Sequence, residues 1–200
     1  MKKSLFLIVA LVFFVGCKDN PVSKKIKEAK QNVSNTNSAI EELNEMQEDI
    51  EELKEVTPLT NDELKAWLPD EINGMKRTSF KAGQTSFMKI ASIEASYANE
   101  DKSKTFKVQV IDGAGEMGAA ATAGMRMLFS QDFEEETETQ VKRTIKKNGV
   151  KAIEEYSKDR NNCTIQFMQD DRFYINVSGR NMDLDETWKA IDDLDVQNLG

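Results

Sequence analysis

The chain contains no histidine, which removes the commonest general base and leaves carboxylates as the first candidates for acid/base chemistry. Without an imidazole there is no Ser–His or Cys–His nucleophile pair, and histidine-dependent catalytic zinc sites are excluded. Asp112 and Glu116 are the best-placed acids, because they flank a glycine-rich connection and paired carboxylates are what glycosidase-type acid/base chemistry uses. The connection itself, Gly113, Gly115 and Gly118, spells G-x-G-x-x-G between an alternating apolar run (Phe106 to Ile111) and a helical run (Met117 to Phe129). In dinucleotide sites such glycines bring a pyrophosphate to a helix N-terminus. Here Asp112 and Glu116 put negative charge where phosphate would lie, and the preceding strand belongs to a hairpin. Downstream, the run from Glu134 to Gln140 offers no second buried strand. The motif reads as a flexible strand-to-helix connection.

Two further sets of residues fit a chemical role on spacing alone. Asn181, Asp183, Asp185 and Asp192 fall at positions one, three, five and twelve of a calcium loop. Glu186 stands at the sixth, where the turn needs glycine, and Asp183 with Glu186 equally forms the cap of a final helix. No metal site and no cofactor is therefore expected. Cys163 alternates with polar residues up to Phe167 and reads as a buried, inert thiol on a strand; a reactive thiol or an intermolecular bridge is the other reading.

The elements that must position these groups begin after Pro58. Thr60 and Glu63 form a capping box for a short helix carrying Leu64, Trp67 and Leu68, stopped by Pro69. Gly74 and Gly83 bracket an extended piece around Met75 to Phe80. Ala91 to Tyr97 and Phe106 to Val110 alternate apolar with polar and form a hairpin. Glu134, Glu135, Glu136 and Glu138 read as a solvated loop. Four antiparallel strands follow: Val141 to Ile145, Val150 to Tyr156 after the turn Asn148-Gly149, Thr164 to Met168, and Phe173 to Val177. The last helix carries Leu184, Trp188, Ile191 and Leu194 on one side.

Ahead of this lies a different kind of sequence. From Ser23 to about Glu55 there is no Pro or Gly, and Ile26, Val33, Ile40, Leu43, Met46, Ile50 and Leu53 make one thin helical stripe. Its first part is basic (Lys24, Lys25, Lys27, Lys30) and its later part acidic. A solvated spacer helix and a self-pairing coiled coil both fit the stripe. At the start, Lys2 and Lys3 precede the uninterrupted apolar run Leu5 to Val15, then Gly16 and Cys17. At ~1.5 Å per residue that run covers about half of a ~30 Å hydrocarbon core, as in a secretory signal rather than a membrane helix.

Phe14, Val15, Gly16 and Cys17 resemble the lipobox of bacterial lipoproteins, with Phe14 where Leu is usual. The resemblance implies cleavage before Cys17, a diacylglycerol on its thiol and an acyl chain on its amine; several chains are needed for stable anchoring. A plain signal peptide with Cys17 kept, or an N-terminal anchor, is the alternative. Lys18 stands where Asp would retain a lipoprotein at the inner membrane, and Cys17-Lys18-Asp19 is similar to a surface-export signal, which implies the outer membrane with a lean to the cell surface. Cleavage removes Lys2 and Lys3 and lowers the formal charge from −8 to −10, which disfavours nucleic acid as a partner.

The expected organisation is a signal peptide (1–16), a lipid anchor with helical or coiled-coil stalk and linker (17–58), and an α+β domain (59–200) in which helices cover an antiparallel sheet. Leu68-Pro69, Gly74, Tyr97, Val108, Val110-Ile111-Asp112, Gly149, Tyr156 and Asp171-Arg172-Phe173 resemble a family of uncharacterised bacterial envelope proteins. The element order is also similar to the PsbP/Mog1-like fold. That second resemblance implies a binding or assembly role. The expected function is a non-enzymatic binding or adaptor domain held at the membrane by lipid, with an unidentified protein partner, and with self-association where the stalk is a coiled coil. A carboxylate-dependent enzyme and a carrier of an apolar ligand are the alternative expectations.

Overall fold

The Thr60 side chain accepts the Glu63 amide and the Glu63 carboxylate accepts the Thr60 amide, so helix α1 (Asn61–Trp67) starts with both orphan donors satisfied. Pro69 ends it, as the sequence predicts. This computed structural model describes residues 40–41, 44–84 and 90–200. The signal segment, Cys17, Lys18, Asp19 and the basic half of the stalk lie outside the described residues. Residues 44–55 are helical, with Met46, Ile50 and Leu53 half-buried along one side. Among the described residues, no helix is long and apolar enough to cross a membrane.

The domain is built on one antiparallel sheet of nine strands: β1 (Glu71–Ile72), β2 (Met75–Gln84), β3 (Ala91–Ala98), β4 (Thr105–Asp112), β5 (Glu134–Glu136), β6 (Gln140–Lys147), β7 (Val150–Ser157), β8 (Asn162–Gln169) and β9 (Phe173–Arg180). Its order is β1-β2-β3-β4-β9-β8-β7-β6-β5. The strands up to β4 form a meander. Helix α2 (Gly115–Phe129) then carries the chain to β5 at the far edge, and β6 to β9 return until β9 pairs with β4, Val108 opposite Val177. Helix α3 (Leu184–Asp193) and a final 3₁₀ turn (Val196–Asn198) complete an α+β fold.

The period of two sorts the strand residues onto two faces of the sheet. Ile93, Val110, Ile175, Ile165 and Phe167 point to one side and join Leu64, Leu68, Trp188, Ile191 and Leu194 in the main core, under α1 and α3. On the other side Ile153, Met168 and Tyr174 form a smaller core with Phe129 of α2. Asn148 and Gly149, both at positive φ, make the tight turn between β6 and β7.

Two local expectations are corrected. Gly83 does not bound the first long strand, since β2 continues through it and pairs Gly83 with Ser92. The acidic cluster is not a loop, because Glu134, Glu135 and Glu136 form β5, opposite Arg143, Lys142 and Val141. A basic β6 makes an acidic edge strand favourable by cross-strand charge pairing, and Lys158 also bridges to Glu136 at 2.5 Å.

Candidate functional site

Asp112, the first of the candidate catalytic acids, is fully buried at the end of β4 and every direction of its carboxylate is used. Oδ1 accepts Arg172 Nε (2.8 Å) and the Ala114 amide (2.9 Å), while Oδ2 accepts Arg172 Nη2 (2.8 Å) and the Leu59 amide (2.8 Å). The fork holds three segments together: the linker at Leu59, the β4–α2 connection and the β8–β9 turn. Arg172 has its guanidinium held above the ordinary arginine range, first by its bonds to Asp112, and it also stacks on Phe173 at 4.6 Å. Glu116 is exposed in the first turn of α2. The two carboxylates that sequence spacing groups together thus occupy different surroundings.

The glycines between them have structural reasons for being glycine. A Cβ on Gly113 would stand 2.6 Å from the Arg172 carbonyl, and one on Gly118 would stand 2.6 Å from the Asp112 carbonyl. Gly115 has φ +76° against Pro58. The G-x-G-x-x-G stretch is therefore a close-packed joint, not the flexible connection expected. Its tightness comes from α2 starting directly on the end of β4.

Cys163 is buried on the core side of β8, with Sγ 2.8 Å from Thr187 Oγ1, and burial is the main cause that pushes its thiol above the usual range. The residues at calcium-loop spacing serve other ends. Asp183 accepts the Glu186 amide (2.8 Å) as the cap of α3, and Asn181 Nδ2 donates to the Ser103 carbonyl (2.7 Å). Asp185 and Asp192 are exposed.

Two further features of the surface are not legible in the sequence. The first is a cleft of about 680 Å³ between the β6–β7 turn, the end of β8 and the C-terminal end of α3. Its floor is the edge of the main core, where Phe167, Trp188 and Ile191 are buried, and exposed Asp170, Asp192 and Asp195 lie along its rim. Trp188 is fixed from beneath, since its Nε1 donates to Glu154 at 2.7 Å, and buried Glu154 also receives Arg143 through Nε (3.1 Å) and Nη2 (3.0 Å). Lys147 Nζ sits over the Trp188 ring, 4.7 Å from its centre. The signal available in sequence was Trp188 in a helix ending Ile191, Asp192, Asp193, with Asp195 following.

The second is the polar face of the sheet. Register places Glu94, Gln109, Asn176 and Gln166 in one row across β3, β4, β9 and β8, and Ser96, Lys107, Ser178, Thr164, Glu155 and Lys142 in the next. These side chains are half-buried or exposed, and Asn176 Oδ1 is buried without a partner among the described residues. Beside this face, on the buried side of α2, Arg126 is 6% exposed, and its Nε and Nη2 have no hydrogen-bond acceptor among the described residues. Burial lowers its pKa from the ordinary arginine value, opposed by the charges of Asp171 and Asp49.

Comparison with protein-family models gives no match, and neither does comparison with curated proteins. Among solved structures, a GTP binding regulator from Thermotoga maritima is similar over 66% of this chain and 84% of that one, at 13% identity and a TM-score of 0.31. Similarity at that level carries no argument about what this chain binds or does.

Proposed function

We propose that the protein is a lipoprotein of the outer membrane, acylated at Cys17, that holds a non-enzymatic binding domain at the membrane to meet a protein partner. The observation that carries this reading is the order Lys2-Lys3, Leu5 to Val15, Gly16-Cys17: a charged head, a short apolar run, a small residue and a thiol. Lys18 and Asp19 after the thiol favour the outer membrane and, of its two sides, the cell surface. The acidic part of the stalk then serves as a spacer, and anchoring raises the local concentration of the domain so that modest contacts suffice. Self-association is assigned to the stalk, and a strictly monomeric full-length chain in sedimentation equilibrium would remove that part.

Within the α+β class, the PsbP/Mog1-like arrangement is the finer reading of the domain, supported by the element order hairpin, helix, antiparallel strands, helix. An adaptor role draws support from the Asp112 carboxylate being consumed by Arg172 and two amides, and from the Trp188 cleft. Replacing Cys17 tests the anchor: Cys17→Ser is expected to move the chain from the membrane fraction to the soluble fraction. Retention of the variant in membranes that resists carbonate washing would overturn the lipid anchor.

A further inference from the structure

We propose that the outer edge of β2 takes an extended, acidic segment of a partner protein as an added strand of the sheet. This rests on the domain being a binding module, and it names the surface and the chemistry of what it binds. β2 is ten residues long and β1 only two, and they pair no further than Met75 and Lys76. The Arg77 amide is taken by the Asp70 carbonyl at 2.8 Å. From Thr78 to Gly83 no strand lies on the outer side of β2 among the described residues. Thr78, Ser79, Phe80 and Lys81 are exposed in succession, so both faces of the strand are open there as well as its edge. Main-chain N–H and C=O groups left unpaired along such an edge are a template for one more strand.

The side chains decide which strand. Register sets Phe80 opposite Ala95 and Ala82 opposite Ile93, on the main-core face, and Ser79 and Lys81 opposite Ser96 and Glu94 on the other. Phe80 is 43% exposed, with Lys65 Nζ of α1 and the Arg77 guanidinium 5.3 Å and 5.6 Å from its ring centre. The acids nearest this edge are already engaged, Asp70 by Arg77 and Glu94 by Lys107 at 3.0 Å. Lys65 and Lys81 are exposed, a local positive charge on a chain whose net charge is −8. A strand that alternates acidic with apolar residues would set carboxylates beside Lys81 and apolar side chains beside Phe80 and Ala82.

The same residues disfavour a second copy of this edge. β2 laid against another β2 would bring lysine and arginine side chains of both strands together, and like charges on neighbouring strands are destabilising. The register shift between Arg77 and Ser79 marks where β1 stops and the free edge begins.

The test is a titration of the ¹⁵N-labelled full-length chain in non-ionic detergent, following the backbone amides of Thr78 to Gly83. The probes are acetyl-Glu-Val-Glu-Val-Glu-Val-amide, its Lys counterpart, and the acidic peptide N-methylated at alternate residues along each edge in turn, which keeps the side chains and removes the main-chain donors of that edge. The acidic peptide is expected to shift these amides saturably, with one of the two N-methylated forms failing to bind. Lys65→Gln with Lys81→Gln is expected to weaken binding about fivefold. No shift at β2, equal binding of the Lys peptide or of both N-methylated forms, or an unaltered affinity in the double variant would overturn the proposal. Shifts of the same amides that grow with protein concentration alone would give the edge to a second copy and overturn it too. Binding by a chain found unacylated at Cys17 would keep this inference and remove the anchor; an acylated chain that fails to bind would do the reverse.

Discussion

Arg172 grips Asp112 with one edge of its guanidinium, Nε to Oδ1 and Nη2 to Oδ2, each at 2.8 Å, across 60 residues of sequence. Asp112 is fully buried and Arg172 only slightly exposed, so the pair lies in low dielectric where each charge depends on the other. Asp112→Asn keeps the shape and removes the charge. The variant is expected to lose about 3–5 kcal/mol in urea unfolding. A loss below about 1 kcal/mol would contradict the role of this pair as the clamp between linker, joint and turn.

Two glycines on α2 are expected to respond to the same substitution with opposite signs. Gly118→Ala drives a methyl to 2.6 Å from the Asp112 carbonyl, and the strand end and helix cannot both stay in place. The expected cost is about 1–3 kcal/mol or more. Gly124, with nothing within 4 Å of its added Cβ, gains helix propensity as alanine, an expected stabilisation of about 1 kcal/mol. Thermal unfolding of the two variants side by side reads the sign directly.

Arg126 is a cost in the fold only partly offset by the charges of Asp171 and Asp49, since its Nε and Nη2 are buried without acceptors among the described residues. Arg126→Met fills a similar volume with no charge to desolvate. It is expected to leave stability unchanged or raise it by about 1–4 kcal/mol, as for other buried charges replaced by apolar side chains. Chemical denaturation checks this, and a clear loss of stability would mean that the guanidinium is satisfied in solution.

Cys163 is expected to be silent towards thiol reagents while the domain is folded. Its thiol is raised above the usual range by burial, so the neutral form is the one the fold favours. The stability this contributes is fully present below the ordinary thiol pKa and is lost as pH rises through the raised one. At pH 8, modification by a disulfide reagent should follow the unfolding rate, reaching completion at once only in denaturant. Reaction of the native chain at the speed of an exposed thiol would contradict the buried site.

What the sequence made legible is local. The alternation in β3 and β4, the Asn148-Gly149 turn and the capping boxes at Thr60 and Asp183 all act over a few residues, and each appears in the structure. Asn73-Gly74, both at positive φ between β1 and β2, is a hairpin signal of the same kind. The pairing of β9 with β4 was not legible, because it closes over some 65 residues and is decided by which apolar faces share a core. Glu134–Glu136 was misread for a related reason: an acidic run has poor strand propensity by itself and becomes a strand only opposite Lys142 and Arg143. Asp112 showed its acidity but not its partner, which lies 60 residues away. The cleft at Trp188 likewise joins two turns and a helix end that no local pattern connects.

Acylation of Cys17 is tested most directly by protease shaving of intact cells followed by mass spectrometry of the N-terminal peptide. It predicts a peptide beginning at Cys17 that carries the acyl mass, together with loss of the domain from the cell surface. An unmodified Cys17, or a mature chain that still begins ahead of it, would contradict the lipoprotein reading at its base.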